Sequence, residues 1–171
     1  FHVQPEEGKP VDIRRLERQV ADVDPAIYER MAVVAATEAV RRRLGDVGER
    51  KPLHVAISPA LLQDELEFAT VLDIFKLHPS VARSVVLSLP PDLLESWQHT
   101  SALQSLTGLN IGLVVEGWTG SKPDLERMTK AQVRAVKIAA NNLLARGKTQ
   151  KDAPDGAKLV EMARQAGLDV I

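Results

Sequence analysis

A chain of 171 residues is long enough for one domain with a sizeable core and short for two. Hydrophobic residues make up 44% and charged residues 26%, and the formal net charge of −1 argues against a surface built to coat DNA or RNA. Cysteine is absent, which excludes a disulfide framework and a thiolate metal site and is compatible with a reducing cytoplasm, where the domain is expected.

The opening residues, Phe1-His2-Val3-Gln4, are strand-like, and a second β-branched run follows at Val11–Ile13. Asp24 as N-cap and Pro25 at the first helical position then predict a helix to Leu44, with Ile27, Met31, Val34, Ala35 and Leu44 at helical spacing. Its Arg41-Arg42-Arg43 cluster reads as a solvated face. A strand is predicted over Leu53–Ile57. Ser58-Pro59 repeats the cap-then-proline grammar and predicts one helix to Leu77, ended by His78-Pro79. A strand over Val81–Leu89 leads to Pro90-Pro91-Asp92 and a helix burying Leu93, Leu94, Trp97 and Leu103. Next come a strand over Leu109–Val115, a short helix from Pro123 to Thr129, and a strand over Val133–Ile138. A helix over Ala139–Ala145 ends at Gly147, residues 148–155 form a polar loop, and a last helix from Gly156 to Ala166 ends at Gly167. A final strand is expected over Leu168–Ile171.

Strand–helix alternation repeated in this way predicts an α/β protein with a parallel sheet, because parallel neighbours need crossover connections. A closed barrel and an open doubly wound sheet both satisfy it. The absence of a glycine-rich phosphate loop after the first strand weakens the dinucleotide-binding option. No run reaches the roughly 18 apolar residues a membrane span requires, and there is no signal peptide. The abrupt ends predict a fragment of a longer protein, with a membrane tether or a further domain outside the window.

Several segments, in order, resemble the bacterial EAL family. Phe1-His2-Val3-Gln4-Pro5 is similar to its opening strand, and Val11-Asp12-Ile13-Arg14-Arg15-Leu16-Glu17-Arg18 sits where the family has its name-giving Glu-Ala-Leu and a following arginine. His54-Val55-Ala56-Ile57-Ser58-Pro59 is similar to an Asn-x-Ser strand end, and Val85 to Pro91 stands in place of a Glu-x-Thr-Glu strand. Gly108 to Gly120 resembles the Asp-Asp region, Val136-Lys137-Ile138-Ala139 the Lys-Ile-Asp strand, and Ala163 to Ile171 the approach to the seventh strand. The resemblance spans nearly the whole chain, residues 1–171, as a single degenerate domain. It implies a modified TIM-like (β/α) barrel, incomplete at its C-terminal end, that binds cyclic di-GMP. The stretch Gln19 to Val23 is too short for the connection and helix that the family inserts there.

The same resemblance implies two Mg²⁺ or Mn²⁺ ions held by oxygen ligands at the strand C-termini. Here those positions fall on Arg14, Ala56, Ser88, Pro91 and Ala139, with Glu116 the one carboxylate kept from the Asp-Asp pair and Lys137 the retained lysine. The register around Glu116 is open by one residue, since Gly117 or Trp118 matches the family's glycine. The implied reading is a pseudoenzyme with no metal, no cofactor and no catalytic residue. Its implied nucleotide-binding residues are Gln4, Arg14, Arg18, Glu116 and Lys137. Arg18 matches a phosphate-contacting arginine and Gln4 a glutamine near a guanine. The plainer reading of Arg14, Arg15 and Arg18 is a solvated or salt-bridged edge.

The expected function is that of a cyclic di-GMP receptor or signalling adaptor in bacterial motility and surface attachment, with protein partners in a signalling complex. Alternatives are a protein-interaction scaffold that no longer binds nucleotide and an unrelated (β/α)-barrel enzyme. The histidines, His2, His54, His78 and His99, lack metal-ligand spacing and read as packed or surface residues. Gly117-Trp118-Thr119-Gly120 reads as a tight turn before a short helix rather than a phosphate loop, and Trp97 and Phe75 read as core.

Overall fold

The structure is a computed structural model and describes residues 23–43, 52–144 and 154–171. The expected segments at Phe1-His2-Val3-Gln4 and Val11–Ile13 lie outside them, as do Leu44 and Gly147. Helix α1 (Pro25–Arg43) is followed by β1 (Leu53–Ala56), α2 (Pro59–Gln63), α3 (Glu65–Leu77), the single turn α4 (Pro79–Ala82) and β2 (Val85–Leu89). A 3₁₀ turn (Pro91–Glu95) leads into α5 (Trp97–Gly108) and β3 (Gly112–Glu116). Then come α6 (Lys122–Lys130), β4 (Ala135–Lys137), α7 (Ala140–Leu144), α8 (Gly156–Gln165) and β5 (Asp169–Val170).

All five strands pair in parallel, in the order β1-β2-β3-β4-β5. A doubly wound sheet reverses strand order at a switch point. Among the described residues no reversal occurs, so the sheet winds in one sense, as a barrel does. Parallel register sends equivalent residues to the same face. Leu87 stands opposite Leu113 and Val115 opposite Val136, all fully buried on the face covered by helices. That face forms the core with Val33 and Val40 of α1, Phe75 of α3, Leu103 and Leu106 of α5 and Leu159 of α8. The other face carries His54, Ala56, Ser88, Val114, Glu116, Ala135 and Lys137, and is polar at its C-terminal end. Among the described residues no helix is long and apolar enough to cross a membrane.

Helix caps account for most boundaries. Asp24 Oδ1 accepts from Ala26 N at 2.9 Å, and Ser58 Oγ accepts from Ala60 N at 3.2 Å, as their positions before proline predict. The expected helix from Ser58 to Leu77 is broken at Asp64, whose Oδ1 accepts from Leu66 N and Glu67 N, both at 3.0 Å. Asp64 is thus an N-cap, and its extended backbone ends α2 and starts α3. The expected strand from Val81 begins only at Val85, because Pro79 opens a helical turn that buries Val81 and Ala82. Leu109 to Ile111 likewise precede β3 instead of belonging to it.

Three helices end in the same way. Gly167, Gln132 and Asn110 take positive φ values of 76°, 57° and 63°. After each, the next N–H reaches back to close the turn, Leu168 N to Ala163 O at 2.9 Å and Val133 N to Met128 O at 2.9 Å among them. This is the Schellman geometry, and it turns the chain from helix into strand within a few residues.

Candidate functional site

The C-terminal ends of β1 to β4 bring polar side chains together on one face. Ala56 stands opposite Ser88, Ser88 opposite Val114, and Glu116 opposite Lys137. Lys137 is the hub. Its ammonium donates to Ser88 Oγ at 2.9 Å, spanning β3, and to Glu116 Oε2 at 3.3 Å. Ser88 is buried, whereas the Glu116 side chain is 58% exposed and that of Lys137 26%. Strand ends are where barrel sites form, because the following loops open there. Glu29 of α1 adds a tie at the same end, its Oε2 accepting from Ser58 N at 3.0 Å.

Glu116 and Lys137, singled out in the sequence, are therefore direct partners. Gln4, Arg14 and Arg18 lie outside the described residues. Two members of the cluster are not among the residues the sequence singles out as binding. Ser88, in place of a family glutamate, receives the lysine. His54, with no metal-ligand partner in the sequence, lies on the same sheet face and senses both charges. Partial loss of hydration lowers its pKa below 6.5, the Lys137 ammonium lowers it further, and Glu116 opposes them. The period-2 pattern of β1, which puts His54 and Ala56 on one face, was the available signal.

His54 gives a signed test. Its titration, followed by proton NMR, is expected to have a midpoint below 6.5, to move up in Lys137→Met and to move further down in Glu116→Gln. Because the unfolded chain binds the proton more readily, this group contributes stability above pH 6.5 that is lost as pH falls towards the folded-state pKa. The ring is exposed, so solvent keeps that contribution small. A midpoint at or above 6.5, or one that does not move in Lys137→Met, contradicts the placement of His54 in the field of Lys137.

Among the described residues, the donors of this cluster do not fit a pair of hard divalent cations. Mg²⁺ and Mn²⁺ sites are built from several carboxylate and carbonyl oxygens. Among the described residues no three His, Cys, Asp or Glu side chains converge. Glu116 already faces an ammonium, and Ala56 and Ala139 carry no donor. The arrangement suits an anion better, since a fixed ammonium supported by a hydroxyl can receive phosphate oxygens.

The other expected features among the described side chains resolve as packing, and the side chain of Trp97 lies outside them. In the turn after β3, Gly117 and Gly120 take φ values of 85° and 100°, and Trp118 is fully buried with its Nε1 donating to Ser121 O at 3.1 Å. The segment is the tight turn expected. A Cβ at Gly120 would lie 2.4 Å from Pro154 Cγ and 2.8 Å from Leu159 Cδ2, so glycine lets the turn seat against α8. Phe75 is fully buried, and His99 is buried with Nδ1 bonded to Leu93 O at 2.9 Å.

No family model matches the sequence, and no curated protein matches it. Solved structures do match by shape. The EAL domain of Xanthomonas citri FimX in complex with c-diGMP superposes with a TM-score of 0.73 at 14% identity, over 96% of this chain and 66% of that one. Vibrio cholerae LapD, an S helix-GGDEF-EAL protein bound to c-di-GMP, gives 0.72 at 10% identity, over 97% of this chain and 40% of that one. The EAL domain of Mycobacterium smegmatis DcpA gives 0.62 at 20% identity, over 93% and 67%. The chain spans about two thirds of the isolated EAL domains and less than half of the LapD protein. With its parallel, singly wound sheet and outer helices, this chain has the fold of the EAL domains, a TIM-like α/β architecture.

Proposed function

We propose that the chain is a non-catalytic EAL-like domain that binds cyclic di-GMP at the strand C-termini and passes its presence to protein partners in bacterial signalling. One observation carries this reading: around Lys137, which the family keeps, the positions that the resemblance gives to metal ligands hold Ala56, Ser88 and Ala139, and Glu116 is already paired. Phosphodiester hydrolysis by metal-activated water needs that metal pair. Phosphate recognition needs only positive charge and donors, which Lys137 and Ser88 supply, with Arg14 and Arg18 the further guanidinium candidates and Gln4 the candidate guanine contact. The neighbours bound to c-di-GMP support the choice of ligand. Control of motility and surface attachment is part of the same proposal, as is a cytoplasmic location for the domain.

Calorimetric titration with cyclic di-GMP tests the reading. Binding at micromolar or tighter Kd, lost in Arg18→Ala, is the expected result. No heat at millimolar nucleotide would leave the scaffold reading, in which the fold presents a surface to partners and the pocket is idle.

A further inference from the structure

Helix α1 has two apolar faces, and the sheet uses only one. Ala26, Val33, Ala36 and Val40 are buried against α2, α3 and β1. On the opposite side Ile27, Met31 and Val34 recur at i, i+4 and i+7, with Tyr28 beside them, and they are 37%, 42%, 37% and 49% exposed. These are the exposed large apolar side chains of α1. Leu66, 74% exposed, adjoins Glu67, whose carboxylate pairs with Arg30 of α1. An outward apolar stripe on a helix already anchored to a core is the pattern of an association surface.

We propose that this face of α1 pairs antiparallel with the α1 of a second copy of the chain, giving a two-fold symmetric dimer. Charge fixes both the partner and the direction. The stripe is bounded by Asp24 at its N-terminal end and by Arg41, Arg42 and Arg43 at its C-terminal end. A parallel pair would set arginine against arginine and aspartate against aspartate. An antiparallel pair about a two-fold axis sets Met31 of one copy against Val34 of the other. The same axis sets Asp24 against Arg41 at both ends. Arg41 is free to make the exchange, because its present pair with Glu38 at 2.7 Å is half exposed and contributes little. A helix of 19 residues is about 28 Å long, so the pair buries less than a standard interface. The dimer is accordingly weak, with Kd on the order of tens of micromolar.

Sedimentation equilibrium of the 171-residue chain between about 5 and 500 µM tests the proposal. The expected result is a monomer–dimer equilibrium that Met31→Asp weakens by at least about tenfold. Ile27→Lys provides a second, independent disruption, and far-UV circular dichroism checks that each variant keeps its helices. Asp24→Arg and Arg41→Asp are each expected to weaken the dimer, and the double variant to restore it, because each arginine then faces an aspartate again. A chain that stays monomeric throughout the range overturns the proposal. So does a dimer indifferent to both Met31→Asp and Ile27→Lys, or one that the double charge reversal fails to restore. The result does not depend on nucleotide binding.

Discussion

Lys137→Met is expected to weaken cyclic di-GMP binding by roughly 10–100-fold, the worth of one charge-assisted hydrogen bond, while leaving the fold intact. The two halves of that expectation have different physical origins. The Lys137–Glu116 pair is open to solvent on the glutamate side, so its loss costs little stability. Its loss changes the site much more. The ammonium is the positive centre among the described residues of the cluster, and without it Glu116 presents an uncompensated negative charge to an incoming phosphate. Ser88, buried, loses the donor that now reaches its hydroxyl. Lys137→Arg keeps the charge and should retain most of the affinity. Calorimetry measures the loss and thermal unfolding verifies the fold. Unchanged affinity in Lys137→Met would place the nucleotide away from this cluster.

Trp118→Ala should be the most damaging single truncation on the strand-end side of the molecule, at about 3–5 kcal/mol. The indole is fully buried among core residues and closes the turn after β3 through its bond to Ser121 O. Removing it leaves a cavity in the core and frees the loop that connects the site strand β3 to α6. Total stability of a domain this size is about 5–15 kcal/mol, so the loss is a large fraction of it. The expected fall in Tm is about 6–20 °C. Trp118→Phe, which keeps most of the ring volume but not the donor, should lower Tm by less than Trp118→Ala does. A fall in Tm of a degree or two in Trp118→Ala would mean that the indole is not the anchor of this turn.

The physical signals in the sequence divide into those that act locally and those that act through the fold. Proline after a capping side chain marks the start of α1 and α2 because both effects are local: Asp24 and Ser58 each satisfy an N–H two residues on. Asp64 does the same without a following proline, and its signal is Glu67 three residues on before an apolar run, which an unbroken helix to Leu77 ignores. Gly167 announced a helix end, while Asn110 and Gln132, in the same left-handed conformation, did not, since neither side chain is specific to it. Apolar runs overstated strand length at Val81 and Leu109 because burial drives helical turns and strands alike. The site shows the same division. Glu116 and Lys137 were legible through their positions at strand ends, and register then makes them partners. Ser88 and His54 join them through lateral order across four parallel strands, and the period-2 pattern gives the face of each but not its neighbours.

In the proposed reading, Arg14, Ala56, Ser88, Pro91 and Ala139 stand where metal-dependent cleavage needs oxygen ligands, around a lysine that the family keeps. Cyclic di-GMP incubated with the purified chain, once with Mg²⁺ or Mn²⁺ and once with a chelator, measures this most directly. The nucleotide should remain whole in both samples, and calorimetry should give the same affinity with and without divalent ions. Steady conversion to the linear dinucleotide in the metal-containing sample, or binding that vanishes on chelation, would contradict it.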